Sequence, residues 1–76
     1  MYISLSYDTE NLIKVVKAGS KKECEKALYK EYKKRKDQMT AEAMTKEDFL
    51  RKLNKKCCVS CELNNASLLL LQMIKM

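Results

Sequence analysis

The stretch "ASLLLLQMIKM", residues 66–76, limits the possible folds more than any other part of the chain. A membrane span needs about twenty predominantly apolar residues, and these eleven include Gln72 and Lys75. A run this apolar and this short belongs inside a folded domain, and no membrane association is expected of it. Continuous apolar runs hide their period, and Leu, Met and Gln favour helices. Both a buried strand and a terminal helix capped by Asn65 therefore stay open. Seventy-six residues hold one core, so residues 1–76 are expected to form one domain. If the tail is a strand with two helices stacked on one face of its sheet, the other face shows leucines to water. A domain of this size covers such a face only by pairing with another protein or with itself. Leu69, Leu71 and Met73 are the residues assigned to that interface, with a dimer as one outcome.

The segment before the tail supplies a pairing partner. In "CCVSCEL", alternation puts Cys57, Val59 and Cys61 on one face and Cys58 and Ser60 on the other. A two-residue turn at Asn64-Asn65 would set Cys61 against Leu68, Val59 against Leu70 and Cys58 against Leu71. At the other end "YISLSY" alternates Tyr2, Ser4, Ser6 with Ile3, Leu5, Tyr7, the period of a half-buried strand. "DTEN" favours a turn and "LIKVVKAG" is rich in β-branched residues, so residues 2–18 read as a hairpin. The rival is a short helix capped by Thr9 and ended by Gly19.

Two helices lie between the hairpins. Ser20 and Glu23 form a capping-box pattern ahead of a breaker-free run, predicting a helix over residues 21 to about 38. Cys24, Ala27, Leu28 and Tyr32 make its apolar stripe. "TAEAM" reads either as frayed helix or as loop. Thr45 with Asp48 starts a second helix, "KEDFLRKLNKK", buried through Phe49, Leu50 and Leu53, with cations in its last turns where the dipole favours them.

The opening "MYISLSYDTEN" has no basic start, long apolar core or small-residue cleavage site, so the expected compartment is cytoplasmic. Thiols stay reduced there, and Cys24, Cys57, Cys58 and Cys61 read as free. A structural zinc site wants four Cys or His ligands, commonly in two separated pairs. This chain has no histidine and only one distant thiol, Cys24, on a helix's apolar stripe. A redox C-x-x-C belongs at a helix start, where the dipole lowers a thiol pKa; Cys58-Val-Ser-Cys61 sits in a predicted strand. Packing is the expected use of all four, with no metal and no cofactor.

Catalytic groups are missing by type. Acid-base work at neutral pH usually uses His, and a cysteine nucleophile normally leans on one. One glycine cannot build a phosphate loop, although Gly19-Ser20-Lys21-Lys22 places amides and ammonium groups where an anion could sit. No catalytic residue, enzymatic activity or small-molecule substrate is expected.

The charge balance offers a second surface. Sixteen Lys and Arg against ten Asp and Glu give a net charge of +6, which favours acidic partners. Lys22, Lys26, Lys30, Lys33 and Lys36 fall on one side of the first helix, with Tyr29 projecting among them. Lysines contact phosphates as point charges and a ring can stack on an unpaired base. The same pattern also describes a plain solvated face.

The sequence thus predicts an α+β domain: a small antiparallel sheet of N- and C-terminal hairpins with two helices packed on one face, the alternative being an all-α bundle. Its expected role is that of a small non-enzymatic interaction protein, a modulator or adaptor docking on a larger macromolecule. The composition suits a bacterial or phage accessory protein. The alternative is nucleic-acid binding through the lysine side of the first helix.

Overall fold

A computed structural model describes residues 1–8, 13–64 and 66–76. Strand β1 (Tyr2–Asp8) and strand β2 (Lys14–Gly19) pair antiparallel, so the short-helix reading of the second segment falls. Of the turn assigned to "DTEN", residues 9–11 lie outside the described residues. Strand β3 (Cys58–Glu62) pairs antiparallel with β4 (Leu68–Lys75), and β4 pairs antiparallel with β1. The sheet order is β2-β1-β4-β3. The first and last strands therefore lie side by side at its centre, where Met76 N–H donates to the Met1 carbonyl at 2.8 Å. The tail is a strand, and the fold is the expected α+β arrangement.

Helix α1 (Lys21–Lys34) starts as its sequence dictates. Glu23 N–H donates to Ser20 Oγ at 3.2 Å, and Ser20 N–H donates back to Glu23 Oε1 at 3.1 Å. Gly19 leaves room for that return contact, because a Cβ there would stand 2.9 Å from Glu23 Oε1. The helix stops earlier than its composition suggests. Arg35 leaves helical geometry at φ −102° and ψ 3°, and a 3₁₀ turn covers Lys36–Gln38. A tertiary bond overrides propensity at this point: Arg35 reaches Asp8 at 3.4 Å, while its Nε donates to Gln38 Oε1 within the turn at 2.8 Å. Met39 then bridges to Leu63 as extended chain. Residues 40–44 form a loop pinned where Met44 N–H donates to the Tyr32 hydroxyl at 2.7 Å. Helix α2 (Lys46–Lys56) is capped by Thr45, whose hydroxyl accepts from Asp48 N–H at 3.3 Å. It ends at Cys57, a left-handed residue with φ 59°.

Both helices pack on one face of the sheet. Cys24, Leu28 and Tyr32 from α1 and Phe49 and Leu53 from α2 meet Val59, Leu63, Leu69, Leu71 and Met73. Each large side chain so buried contributes roughly 1.5–3 kcal/mol. The fully buried inward residues of β1 are Ser4 and Ser6, with Tyr2 half-buried against the core beside them. The small size of the serines lets α1 approach the sheet, and Ser4 Oγ is satisfied by the Lys17 carbonyl at 3.2 Å.

The register of β3 on β4 differs by one residue from the sequence expectation. Cys61 opposes Leu69, Val59 opposes Leu71 and Cys58 opposes Gln72. The connection holds three residues rather than two, since Leu63 N–H donates to the Ser67 carbonyl at 2.8 Å. Ala66 takes the left-handed conformation at φ 68° that closes it. A one-residue slip moves every side chain to the other face. The consequence is large.

Candidate functional site

Alternation along four strands gives the sheet a second face, which neither helix touches. On β4 the helix side takes Leu69, Leu71 and Met73, at 0%, 0% and 4% exposure. The three residues assigned to an interface are therefore core. Their neighbours Leu68, Leu70, Gln72 and Ile74 point the other way, with Leu68 51% and Ile74 38% exposed. The apolar open face carries the opposite parity to the sequence expectation, because the β3–β4 connection holds three residues rather than two.

β1 deepens the pattern. With Ser4 and Ser6 under α1, its apolar residues Ile3, Leu5 and Tyr7 lie on the open face. Register sets Ile3 beside Ile74, Leu5 beside Gln72 and Tyr7 beside Leu70. β2 adds Val15, opposite Leu5 and 62% exposed. Tyr7, Asp8, Ser60, Leu68 and Leu70 enclose a shallow depression of about 280 Å³. The residues charged at neutral pH make up 34% of the chain. Asp8 at the edge of the depression pairs with Leu69 and sends its carboxylate to Arg35 on the helix side, so by register Glu62 at the β3 rim is the only charged side chain among the described strand residues on this face. An apolar centre depleted of charge is the composition of a protein interface core.

These residues escaped the sequence reading for a physical reason. Polar-apolar alternation in "YISLSY" shows that β1 has two unlike faces, and the usual rule sends the apolar one inward. The two serines were the available signal: small residues are what a closely packed helix needs beneath it.

The lysine side of α1 is as expected in part. Lys22, Lys26, Lys30 and Lys33 are exposed on the helix and Lys36 is exposed on the 3₁₀ turn beyond it. Tyr29 is not among them as a free ring. It is half-buried between the helices, its ring centroid 5.5 Å from Phe49 and 6.4 Å from Tyr32, with Lys33 Nζ 5.7 Å from its centre. The basic side therefore has cations without an available stacking surface.

No family model, curated protein or solved structure matches this chain. The surfaces themselves must carry the functional reading.

The cysteines are dispersed. Cys24 is buried, its thiol 3.4 Å from the Tyr2 carbonyl it donates to. Cys57 forms the end of α2 and is exposed, so it does not join Val59 and Cys61 on their face. Cys58 and Cys61, three apart on a strand, project to opposite faces. Burial pushes the Cys61 thiol pKa up, with a smaller opposing pull from Lys52, which disfavours the thiolate that metal binding or redox attack needs. Among the described residues no three His, Cys, Asp or Glu side chains gather as a metal site. The anion position considered at Gly19–Lys22 is filled from within, because the Glu23 carboxylate occupies the Ser20 amide. Among the described residues no helix is long and apolar enough to cross a membrane.

Proposed function

We propose that the protein is a non-enzymatic interaction module that engages a protein surface through the open face of its sheet. One observation carries this reading: β1 buries its serines and turns Ile3, Leu5 and Tyr7 outward, beside Leu70 and Ile74 of β4. A chain selected only to fold would bury those side chains, each worth roughly 1.5–3 kcal/mol when fully covered. Leaving these five strand positions incompletely covered is understandable if another surface completes the burial. A modulator or adaptor needs no more chemistry than this.

The test is site-specific photo-crosslinking in cells, with a benzophenone amino acid at Leu70 on the open face and at Lys26 on α1. Discrete crosslinked protein bands from position 70, absent from position 26, are expected. Bands from position 26 alone, or none from either, would refute the reading. Nucleic-acid binding through the lysines is the competing outcome. It would appear as affinity for a polynucleotide that falls steeply with salt and vanishes in Lys26→Glu with Lys30→Glu.

A further inference from the structure

We infer that the occupant of the open sheet face is a second copy of this chain, packed face to face about a two-fold axis that passes beside Gln72. The inference rests on the proposed role of that face and names its partner.

Area is the first argument. Four strands about 4.8 Å apart, of 7, 6, 5 and 8 residues and so on average about six or seven residues long, each residue rising about 3.3 Å, give a face of roughly 19 by 20–23 Å. Corrugated by its side chains, such a face in two copies buries on the order of 1,200 Å², above the roughly 1,000 Å² a specific interface requires. Both partners are then used across their whole apolar surface.

Charge is the second. The chain carries a net +6, so most ways of bringing two copies together oppose like charges. The open face avoids this, since its only residue charged at neutral pH among the described strand positions is Glu62 at the rim. Most cations sit on the helices, and the strand cations Lys14, Lys17 and Lys75 stand opposite Ser6, Ser4 and Tyr2, on the helix side of the sheet.

Gln72 is the third, and it distinguishes a copy from an unrelated apolar partner. It lies mid-face, with Leu5 on one side and Cys58 on the other across the strands, and Leu70 and Ile74 along its own strand. Its amide makes no hydrogen bond among the described residues, and burying it unpaired costs about 1–3 kcal/mol. A primary amide both donates and accepts, so it is complementary to a copy of itself. On a two-fold axis two Gln72 side chains satisfy each other through two reciprocal N–H···O bonds. In a twofold dimer, a residue at the axis meets its own counterpart.

Sedimentation equilibrium of the full chain tests the proposal. The wild type is expected at twice 8.9 kDa at micromolar concentrations, and Leu70→Lys should weaken association by about a hundredfold or more with an unchanged circular dichroism spectrum. Gln72→Cys, in a chain with Cys57 and Cys58 replaced by Ser, should form a covalent dimer on diamide oxidation, whereas Lys26→Cys in the same background should not. A wild type that stays at 8.9 kDa throughout, or a dimer indifferent to Leu70→Lys, overturns the inference. If the free chain is monomeric while position 70 still crosslinks to a different protein, the inference fails and the interaction reading stands. Loss of both removes both.

Discussion

The two faces of β4 carry the same aliphatic chemistry in different surroundings. Leu69 and Leu71 are sealed beneath the helices, while Leu68 and Leu70, one residue away in each case, look outward from the sheet. Leucine content alone therefore says nothing about role in this strand; parity decides it. The comparison also separates stability from function. One row holds the domain together, and the other is available to be covered by something else.

The sharpest way to break this comparison is to truncate one residue from each row. Leu71→Ala should cost about 2–5 kcal/mol, a core cavity in a domain of modest total stability. Leu70→Ala should cost less than about 1 kcal/mol in dilute solution. In a chain this short each kcal/mol shifts Tm by about 4–8 °C. Thermal melts at low concentration should thus show a drop of about 10 °C or more for the first and a few degrees for the second. Equal losses would mean that the helix-covered and open faces have been distinguished wrongly. Raising the protein concentration sharpens the test, since the proposed association through Leu70 predicts a wild-type Tm that climbs with concentration and a Leu70→Lys value that stays flat.

How the rows are assigned depends on a turn, and this is where sequence reasoning ran out. The helices were legible because their signals are local: Ser20 with Glu23 and Thr45 with Asp48 mark starts that the structure reproduces. The hairpins were legible from alternation and β-branching. The register was not, because Asn64-Asn65 suggests a two-residue turn, whereas the three-residue connection closes on Ala66, which carries no left-handed preference. The end of α1 was hidden for the opposite reason. Nothing near Arg35 disfavours helix; the bonds that stop it reach to Asp8 and to the sheet. Tyr29 looked like part of the basic surface because its aromatic partner Phe49 is twenty residues away.

If Ala66 sets the register under strain, relieving the strain should stabilise the domain without moving the rows. Ala66→Gly removes a left-handed penalty of about 1–2 kcal/mol and adds about 0.4–1 kcal/mol of unfolded-chain freedom. The expected net change lies between about zero and a gain of about 1.6 kcal/mol, read from urea midpoints at unchanged slope. Cys57→Gly, at the left-handed end of α2, should behave alike. A loss of stability at both positions would argue for a different turn, and with it a different assignment of faces.

The smallest expected effect lies away from the sheet and serves as its control. The Ser20 amide and hydroxyl hold the Glu23 carboxyl below its ordinary pKa, helped by Lys17 at 3.7 Å. A carboxyl whose folded pKa is lowered adds stability that is full above its unfolded value of about 4.3 and is lost as pH falls through the folded value. Gln at position 23 keeps an oxygen for the Ser20 amide and gives up the charge. Glu23→Gln should therefore melt slightly below the wild type at neutral pH, and the gap should close as the solution is acidified. Because this contact is solvent-exposed and distant from Gln72, the variant should leave the sedimentation of the chain unchanged. A Glu23→Gln protein that altered association as strongly as Leu70→Lys would show that the copies meet through the start of α1, and the open face of the sheet would need another explanation.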